Sequence, residues 1–160
     1  MKDKNKAQIN ARAETVLSKP MFKHSALNRR CLVLASGWYE WHAMPHGKQP
    51  YRIYLKDNCM FAFAGIWTTW HAEGEESKDV DSYAIITTEA NSVTARIHPR
   101  MPVVLGSKTC EYWLAANEKE TRLKAMLRPY DGKDLFGYPV SNYVSSPKNT
   151  DAKCIEPLRS

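Results

Sequence analysis

The fold class follows from residues 30–41, which are Arg-Cys-Leu-Val-Leu-Ala-Ser-Gly-Trp-Tyr-Glu-Trp. This run predicts a buried strand that continues into aromatic-rich backbone, with Gly37 permitting a bulge or a close approach. Residues 51–55 and 60–67 predict two further strands, which the polar residues 56–58 would join as a hairpin turn. The centre of the chain is therefore expected to form a sheet of neighbouring strands.

Short helices accompany these strands in the prediction. Residues 11–17 would form one or two helical turns that Pro20 stops, and Ser107 would be the N-cap of a helix through residue 116. The pattern also predicts short helices at 89–97 and 120–127, strands at 82–88 and 101–105, an acidic surface loop at 72–81 and an irregular tail at 138–158. Strands and short helices without a regular βαβ rhythm indicate an α+β domain with a mostly antiparallel sheet.

Length and composition predict one globular domain over residues 1–160, because 160 residues with 43% apolar side chains are enough for one core. No run approaches the roughly 20 apolar residues of a membrane span, so we expect a cytoplasmic protein without a membrane partner. The four cysteines are scattered without a Cys-x-x-Cys pair, which indicates neither a metal site nor a disulfide framework. A net charge of +6 favours an anionic partner such as nucleic acid.

Three polar residues near the start, Asn10, Arg12 and Glu14, are spaced by two. In extended backbone they would present an amide, a fixed cation and a carboxylate on one face. The spacing fits a binding surface, and it equally fits a solvated polar edge.

Glu40 is a candidate acid or base, because Trp38, Tyr39 and Trp41 surround it at the end of an apolar strand. A carboxyl group in apolar surroundings has a raised pKa, which suits proton transfer near neutral pH. The alternative is a Glu at the edge of the core, paired with an arginine.

His98 is the second candidate, within the segment Arg-Ile-His-Pro-Arg-Met-Pro at 96–102. It combines a group that titrates near neutrality with the nearby Arg96 and Arg100, an arrangement suited to anion binding or proton transfer. A structural histidine that makes ordinary hydrogen bonds remains the alternative.

The aromatic residues allow two interpretations. Tryptophans and tyrosines beside basic residues can stack on unpaired bases of single-stranded DNA, and the same side chains also make a good core. We expect core packing for most of them.

Several motifs together resemble one family. They are Ile-Asn-Ala-Arg-Ala-Glu-Thr at 9–15, Gly-Trp-Tyr-Glu-Trp at 37–41, Ala-Gly-Ile-Trp at 64–67, Ile-Ile-Thr-Thr-Glu-Ala-Asn at 85–91, His-Pro-Arg-Met-Pro at 98–102 and Pro-Val-Ser-Asn-Tyr-Val at 139–144. In order and spacing they resemble the abasic-site processing, SOS response-associated peptidase (SRAP) family. The resemblance implies an α+β fold with a barrel-like sheet and a role in DNA damage repair.

The resemblance also implies a chemistry. In that family the Cys exposed by removal of the initiator Met attacks the ring-opened aldehyde of an abasic site in single-stranded DNA and forms a thiazolidine crosslink. Its amine, with a usual pKa of about 7.7 to 8, forms the imine, and its thiol adds to it. The family name further implies a peptidase, and whether this chain is an enzyme is left open. No cofactor or metal is implied.

Site residues are carried over from the resemblance. Asn10 would position the terminal residue, Glu40 would handle protons during imine formation, and His98 would assist opening of the sugar ring and reversal. DNA-binding positions are implied at Arg12, Trp41, Thr87 and Arg100, with the two arginines on backbone phosphates. The partner would be single-stranded DNA that contains abasic sites.

One departure from the family pattern concerns the start of the chain. Residue 2 is Lys2, and nine residues precede Asn10. We therefore expect a domain truncated at its N-terminus that lacks the family's nucleophile, and an oligomeric state that the sequence does not indicate. Lys2, Lys4 or Lys6 would be a weak substitute, because a lysine with a pKa near 10.4 is protonated at neutral pH. The competing hypothesis is a module that binds single-stranded DNA without a covalent step.

Overall fold

The computed structural model describes residues 8–71 and 79–158. The chain divides into two compact units. Unit 1 comprises Met1–Val33, Ala62–Thr88 and Pro102–Tyr130, and unit 2 comprises Leu34–Phe61, Glu89–Met101 and Asp131–Ser160. The prediction of a single domain over residues 1–160 stays a prediction.

Nine strands and three α-helices make up the described part of the chain. In chain order they are β1 (Asn10–Arg12), α1 (Pro20–Asn28), β2 (Arg30–Ala35), β3 (Trp38–Met44), β4 (Gly47–Leu55), β5 (Phe61–Trp70), β6 (Val80–Glu89), β7 (Arg100–Pro102), β8 (Val104–Leu105), α2 (Ser107–Leu114), α3 (Glu120–Met126) and β9 (Leu135–Pro139). Short 3-10 turns lie at Lys56–Asn58, Thr94–Arg96, Asn142–Ser145 and Ala152–Ile155. None of the described helices is long and apolar enough to cross a membrane.

Unit 1 is built on a sheet with the strand order β1-β6-β5-β2, in which β8 also pairs with β5. The β1–β6 pair is parallel, with Asn10 opposite Ile85 and Arg12 opposite Thr87. The β5–β6 and β5–β8 pairs are antiparallel. Since side chains alternate along a strand, Ala11 and Ile86 point to the opposite face from Arg12 and Thr87.

The core of unit 1 lies on that opposite face of the sheet. Its buried members are Ala11, Val16, Leu17, Phe22, Ala26, Ala64, Ile66, Ala84, Ile86, Val103, Leu105, Trp113, Leu123 and Leu127. Trp113 of α2 is fully buried, and its indole N–H donates to the Cys31 carbonyl at 3.1 Å. Helix α2 is thereby attached to β2 by both packing and a satisfied polar group.

Unit 2 contains an antiparallel sheet with the strand order β3-β4-β9. Arg52 of β4 is buried, and its guanidinium donates to Asn58 Oδ1 and the Tyr138 hydroxyl at 3.0 Å each. A glycine is required at position 37, immediately before β3, because a Cβ atom there would lie 2.8 Å from the Ile53 carbonyl oxygen. The predicted close approach at Gly37 is therefore confirmed.

The α+β class with mostly antiparallel pairing is confirmed, whereas both sheets are open in the described residues and the barrel-like closure is not found. Residues 30–41 form two strands in different sheets, because the chain leaves the first sheet after Ala35. Residues 56–58 are likewise no hairpin turn, since β4 and β5 belong to different sheets.

Three helix predictions are wrong in detail. The helix predicted at 89–97 is only a 3-10 turn at Thr94–Arg96, because residue 89 still belongs to β6. Residues 11–17 do not form a helix, because residues 10–12 pair with β6, and Pro20 begins α1 instead of stopping a helix. A proline suits the first turn of a helix because its missing N–H has no intrahelical partner there. The N-cap of α2 is Gly106, so Ser107 lies inside the helix. Most of the acidic loop predicted at 72–81 lies outside the described residues.

Candidate functional site

Glu40 and His98 form a close pair within unit 2. Glu40 lies on β3, and His98 follows the 3-10 turn at Thr94–Arg96. The distance from His98 Nδ1 to Glu40 Oε2 is 3.4 Å. The Glu40 side chain is 17% exposed and that of His98 is 41% exposed, so the pair has a buried acidic end and an accessible imidazole.

The surroundings of Glu40 change its proton affinity. Burial raises the pKa of the Glu40 carboxyl, whereas nearby His98 and the Trp38 side chain lower it, and burial is the largest effect. Trp38 is itself buried and lies two residues earlier on the same strand, hence on the same side of the sheet. Glu40 therefore holds a proton at higher pH than an exposed glutamate does, as a general acid or base requires.

The imidazole of His98 is held at one ring nitrogen. Its Nδ1 lies 3.1 Å from the Arg100 carbonyl oxygen and 3.2 Å from the Arg100 amide nitrogen, in addition to Glu40. A protonated Nδ1 can donate to the carbonyl or to the carboxylate, and an unprotonated Nδ1 can accept from the amide N–H. This nitrogen therefore has a hydrogen-bonding partner both with and without its proton.

Asn10, Arg12 and Thr87 lie together in unit 1, on the exposed face of its sheet. Asn10 and Arg12 are both exposed on β1, and Thr87 is the register partner of Arg12 on β6. The Ala13 amide donates to the Thr87 carbonyl at 2.8 Å, which extends the pairing past the end of β1. Glu14 lies in the turn that follows β1. The face predicted to carry Asn10, Arg12 and Glu14 therefore carries Asn10 and Arg12 together with Thr87.

Trp41 and Arg100 are the remaining predicted site residues, and both are half-buried in unit 2. The Trp41 indole N–H donates to Ser145 Oγ at 3.2 Å, which anchors the ring beside the 3-10 turn at Asn142–Ser145. The backbone of Arg100 contacts the His98 ring, as described above. In the part of the chain that the structure describes, no group of three or more His, Cys, Asp or Glu side chains could hold a metal ion.

Sequence comparison identifies the family to which these residues belong. A family model described as SOS response associated peptidase (SRAP) matches residues 1–147. The chain belongs to the SRAP family. The resemblance carried by the six motifs is thereby confirmed, although the roles of the individual SRAP site residues stay predictions.

Relatives of this SRAP chain include two proteins of Bacillus subtilis (strain 168), named abasic site processing protein YoqW and abasic site processing protein YoaM. They are 41% and 40% identical to it over 152 residues, which is 92% of this chain in each case. A crystal structure of a protein from Bacteroides thetaiotaomicron is similar with a TM-score of 0.86 at 30% identity, covering 94% of this chain and 66% of that one. The SRAP chain spans 66% and 65% of the two Bacillus relatives, just under two thirds of their length.

Proposed function

We propose that this chain takes part in processing abasic sites in single-stranded DNA, with Glu40 and His98 as the groups that move protons. The main observation in support is the 3.4 Å contact between the partly exposed His98 imidazole and the Glu40 carboxyl, whose pKa is raised by burial. The names of the Bacillus relatives support the substrate class. Single-stranded DNA with abasic sites is accordingly the proposed partner, and the cytoplasm or nucleoid the proposed location.

An acid and a base at one place fit the first step of this chemistry. An abasic sugar is mostly a closed ring, and opening it breaks the bond between C1 and the ring oxygen. A base removes the proton of the C1 hydroxyl while an acid delivers a proton to the ring oxygen, which leaves the aldehyde free. His98 fits this step because its Nδ1 has partners with and without a proton.

Glu40 fits the second step, in which an amine adds to the aldehyde and water is lost. The carbinolamine formed by addition must lose its hydroxyl group, and a protonated carboxyl can supply the proton that makes it leave as water. The resulting imine then accepts a thiol, so that an S–C bond forms at the former aldehyde carbon and the nitrogen gains a proton. A carboxyl that stays protonated nearer to neutral pH serves the dehydration better than an exposed glutamate.

Cationic residues are proposed to hold the DNA strand. Arg12 and Arg100 would bind backbone phosphates, because a guanidinium can make paired hydrogen bonds to phosphate oxygens. Thr87, beside Arg12 on the sheet, and Trp41 would complete the contacts. Asn10 would position the residue that attacks the aldehyde.

The test uses a longer protein in which an added N-terminal segment that starts Met-Cys precedes Asn10. It is mixed with a labelled single strand carrying one abasic site, with an intact strand as control, and adducts are resolved on a denaturing gel. We expect an adduct with the abasic strand alone. Glu40→Gln and His98→Gln should each slow its formation by about 100-fold or more. Glu111→Gln and His46→Gln, which change exposed residues, should leave the rate unchanged.

Two outcomes would contradict the proposal. If the longer protein bound the abasic strand and formed no adduct, the chemistry would be wrong. If Glu40→Gln and His98→Gln formed adduct at the unchanged rate, the pair would not move protons. In either case the fold and the geometry of the pair would remain as described.

A second candidate function is a module that binds single-stranded DNA without a covalent step, and one feature of unit 1 favours it. Trp67 and Tyr83 are exposed register partners on β5 and β6, on the same face as Thr87. The Arg29 guanidinium lies over the Trp67 ring at 5.2 Å. Exposed aromatic rings beside cations bind unpaired bases by stacking. Equal affinity of the chain for intact and abasic strands would support this alternative.

A further inference from the structure

The loop that carries His98 is organised around the side chain of Asn91. Asn91 Oδ1 accepts hydrogen bonds from the amide groups of Val93 at 3.1 Å and Thr94 at 2.9 Å. It also accepts from the Thr94 hydroxyl at 3.0 Å. One side-chain oxygen thus fixes the first turn of the loop, as a capping residue does at the start of a helix.

Thr94 connects this turn to the histidine. The Thr94 carbonyl accepts the amide hydrogens of Ile97 at 2.9 Å and His98 at 3.0 Å. Thr94 is fully buried, and its hydroxyl also lies 3.6 Å from Met101 Sδ. Thr94 has one well-packed arrangement, so its position sets the position of the His98 backbone.

The loop is closed at its base and enclosed around the Asn91 amide. The Ala90 amide donates to the Pro99 carbonyl at 3.0 Å, and the Ala95 amide donates to the Asn91 carbonyl at 2.9 Å. On the other side, Gly132 is buried with φ +82°, and a Cβ atom there would lie 2.8 Å from Asn91 Nδ2. A larger residue at 132 would therefore displace the amide, which indicates that the place of Asn91 is tightly determined.

We propose that Asn91 is a positioning residue of the site, which acts through Thr94 to hold His98 Nδ1 at its distance from Glu40. The inference rests on the proposed function of the Glu40–His98 pair and adds a residue that acts through the loop backbone. Displacement of a catalytic group by about 1 Å can slow a reaction by about 100-fold, so a residue that sets this distance affects the rate without binding substrate.

A purely structural role for Asn91 makes a different prediction. If Asn91 only stabilised unit 2, its replacement would lower the free energy of unfolding and leave the Glu40–His98 interaction intact in the folded molecules. The two roles are separated by the effect of His98 on the pKa of Glu40, since His98 lowers that pKa in the present geometry. This effect depends on the distance between the two side chains and needs no DNA.

The experiment measures the Glu40 pKa from the pH dependence of its side-chain carboxyl carbon in the NMR spectrum of the labelled chain. His98→Gln should raise this pKa in the wild-type background, because the imidazole is removed. In the Asn91→Ala background, the increase caused by His98→Gln should fall to less than half. Asn91→Asp keeps the accepting oxygen and should preserve the increase. Asn149→Ala, which removes a 2.7 Å hydrogen bond to the Tyr143 carbonyl in the same unit, is the matched control and should also preserve it.

A kinetic measurement on the longer protein completes the test. Asn91→Ala should slow adduct formation by about tenfold or more, with the affinity for an intact strand changed by less than about twofold. Should Asn91→Ala fail to fold, Thr94→Val removes the hydroxyl group, with its contacts to Asn91 Oδ1 and Met101 Sδ, at nearly the same size, and a reduced influence of His98 on Glu40 is again expected.

An unchanged influence of His98 on the Glu40 pKa in the folded Asn91→Ala variant, or in Thr94→Val, would overturn the positioning role. A reduced influence with an unchanged rate of adduct formation would instead leave the positioning role standing and overturn the proposed chemistry of the pair. The two failures are therefore distinguishable.

Discussion

Arg30 makes the most quantitative prediction about the fold, because one guanidinium closes the ends of two helices in unit 1. Its Nε and Nη2 donate to the carbonyls of Trp113 and Ala115, at 2.6 and 2.7 Å, at the end of α2. Its Nη1 donates to the carbonyls of Leu27 and Ala26 near the end of α1. The last carbonyls of a helix have no intrahelical partner and carry partial negative charge, so a cation there is doubly favourable.

The expected cost of removing the guanidinium follows from these contacts. A hydrogen bond from a charged donor contributes about 1.5 to 3 kcal/mol when buried, and less where water can replace it. Arg30 is half-buried, and taking about 1 kcal/mol for each of four carbonyls gives about 4 kcal/mol for Arg30→Met. A lysine keeps the charge but cannot reach both helix ends with one ammonium group, so Arg30→Lys should cost about 2 kcal/mol.

Urea unfolding followed by circular dichroism measures both changes as shifts in the midpoint at constant slope. Arg128→Met, at an exposed position, is the control and should change the free energy of unfolding by less than about 0.5 kcal/mol. A loss below about 1 kcal/mol for Arg30→Met, or equal losses for Arg30→Met and Arg30→Lys, would refute the assignment of the two helix ends to one fork of donors.

Three further predictions concern pH, salt and packing. Burial raises the pKa of Glu40, so the folded state binds the carboxyl proton more tightly than the unfolded state. This proton binding stabilises the folded state fully at low pH, and the stabilisation is lost as pH rises through the pKa that Glu40 has in the folded state. The free energy of unfolding of Glu40→Gln relative to wild type should therefore increase between about pH 4 and about pH 8. A difference that stays flat or decreases in urea unfolding would contradict the raised pKa. Arg12→Ala should reduce the slope of log affinity against log salt by about 0.7 for single-stranded DNA, measured by fluorescence anisotropy, whereas an unchanged slope would exclude a phosphate contact. Gly65→Ala places a Cβ atom 2.8 Å from Cys31 Sγ and 2.9 Å from Val33 Cγ2, so we expect a loss of about 1 to 3 kcal/mol in thermal or urea unfolding, and a neutral effect would show that β2 can move aside.

The run at 30–41 shows how far the sequence predicts the fold. Its apolar and aromatic residues correctly indicate extended backbone, but they do not indicate that it divides between two sheets. The division follows Gly37, where a Cβ atom would lie 2.8 Å from the carbonyl oxygen of Ile53. A glycine beside a strand predicts a close approach without indicating its partner. Here the partner, Ile53, lies on β4, the next strand along the chain.

The start of the chain shows the opposite limit. Residues 11–17 have no local feature that distinguishes a helix from a strand followed by turns, and the strand forms because Ala11 can be buried opposite Ile86. That pairing is parallel and joins residues far apart in sequence, so periodicity within a short window cannot detect it. Pro20 misled for a different reason, since the same fixed φ that stops a helix also suits its first residue.

The two candidate proton-transfer residues were found by different kinds of reasoning. The aromatic residues on either side of Glu40 in the sequence correctly predicted its raised pKa, because such residues indicate that this end of the strand is buried. The neighbouring Arg96 and Arg100 made His98 a candidate for anion binding or proton transfer, but only the ordered motifs associated it with Glu40. Asn91 received no role even though it lies within one of those motifs, because three hydrogen bonds to a single oxygen become visible only when the loop is folded.

The geometry also favours one shared task for Glu40 and His98 over two separate ones. A histidine that served only as an anion-binding cation would gain from an ionised carboxylate that keeps it charged, and burial of Glu40 opposes that ionisation. A histidine that served only to hold the loop would need no partner at its Nδ1 beyond Arg100, which already contacts that atom through both backbone groups. The additional carboxyl at 3.4 Å gives the His98 imidazole a partner that can itself hold a proton, because burial favours the protonated form of Glu40. A pair of this kind can give up a proton in one step of a reaction and accept one in the next.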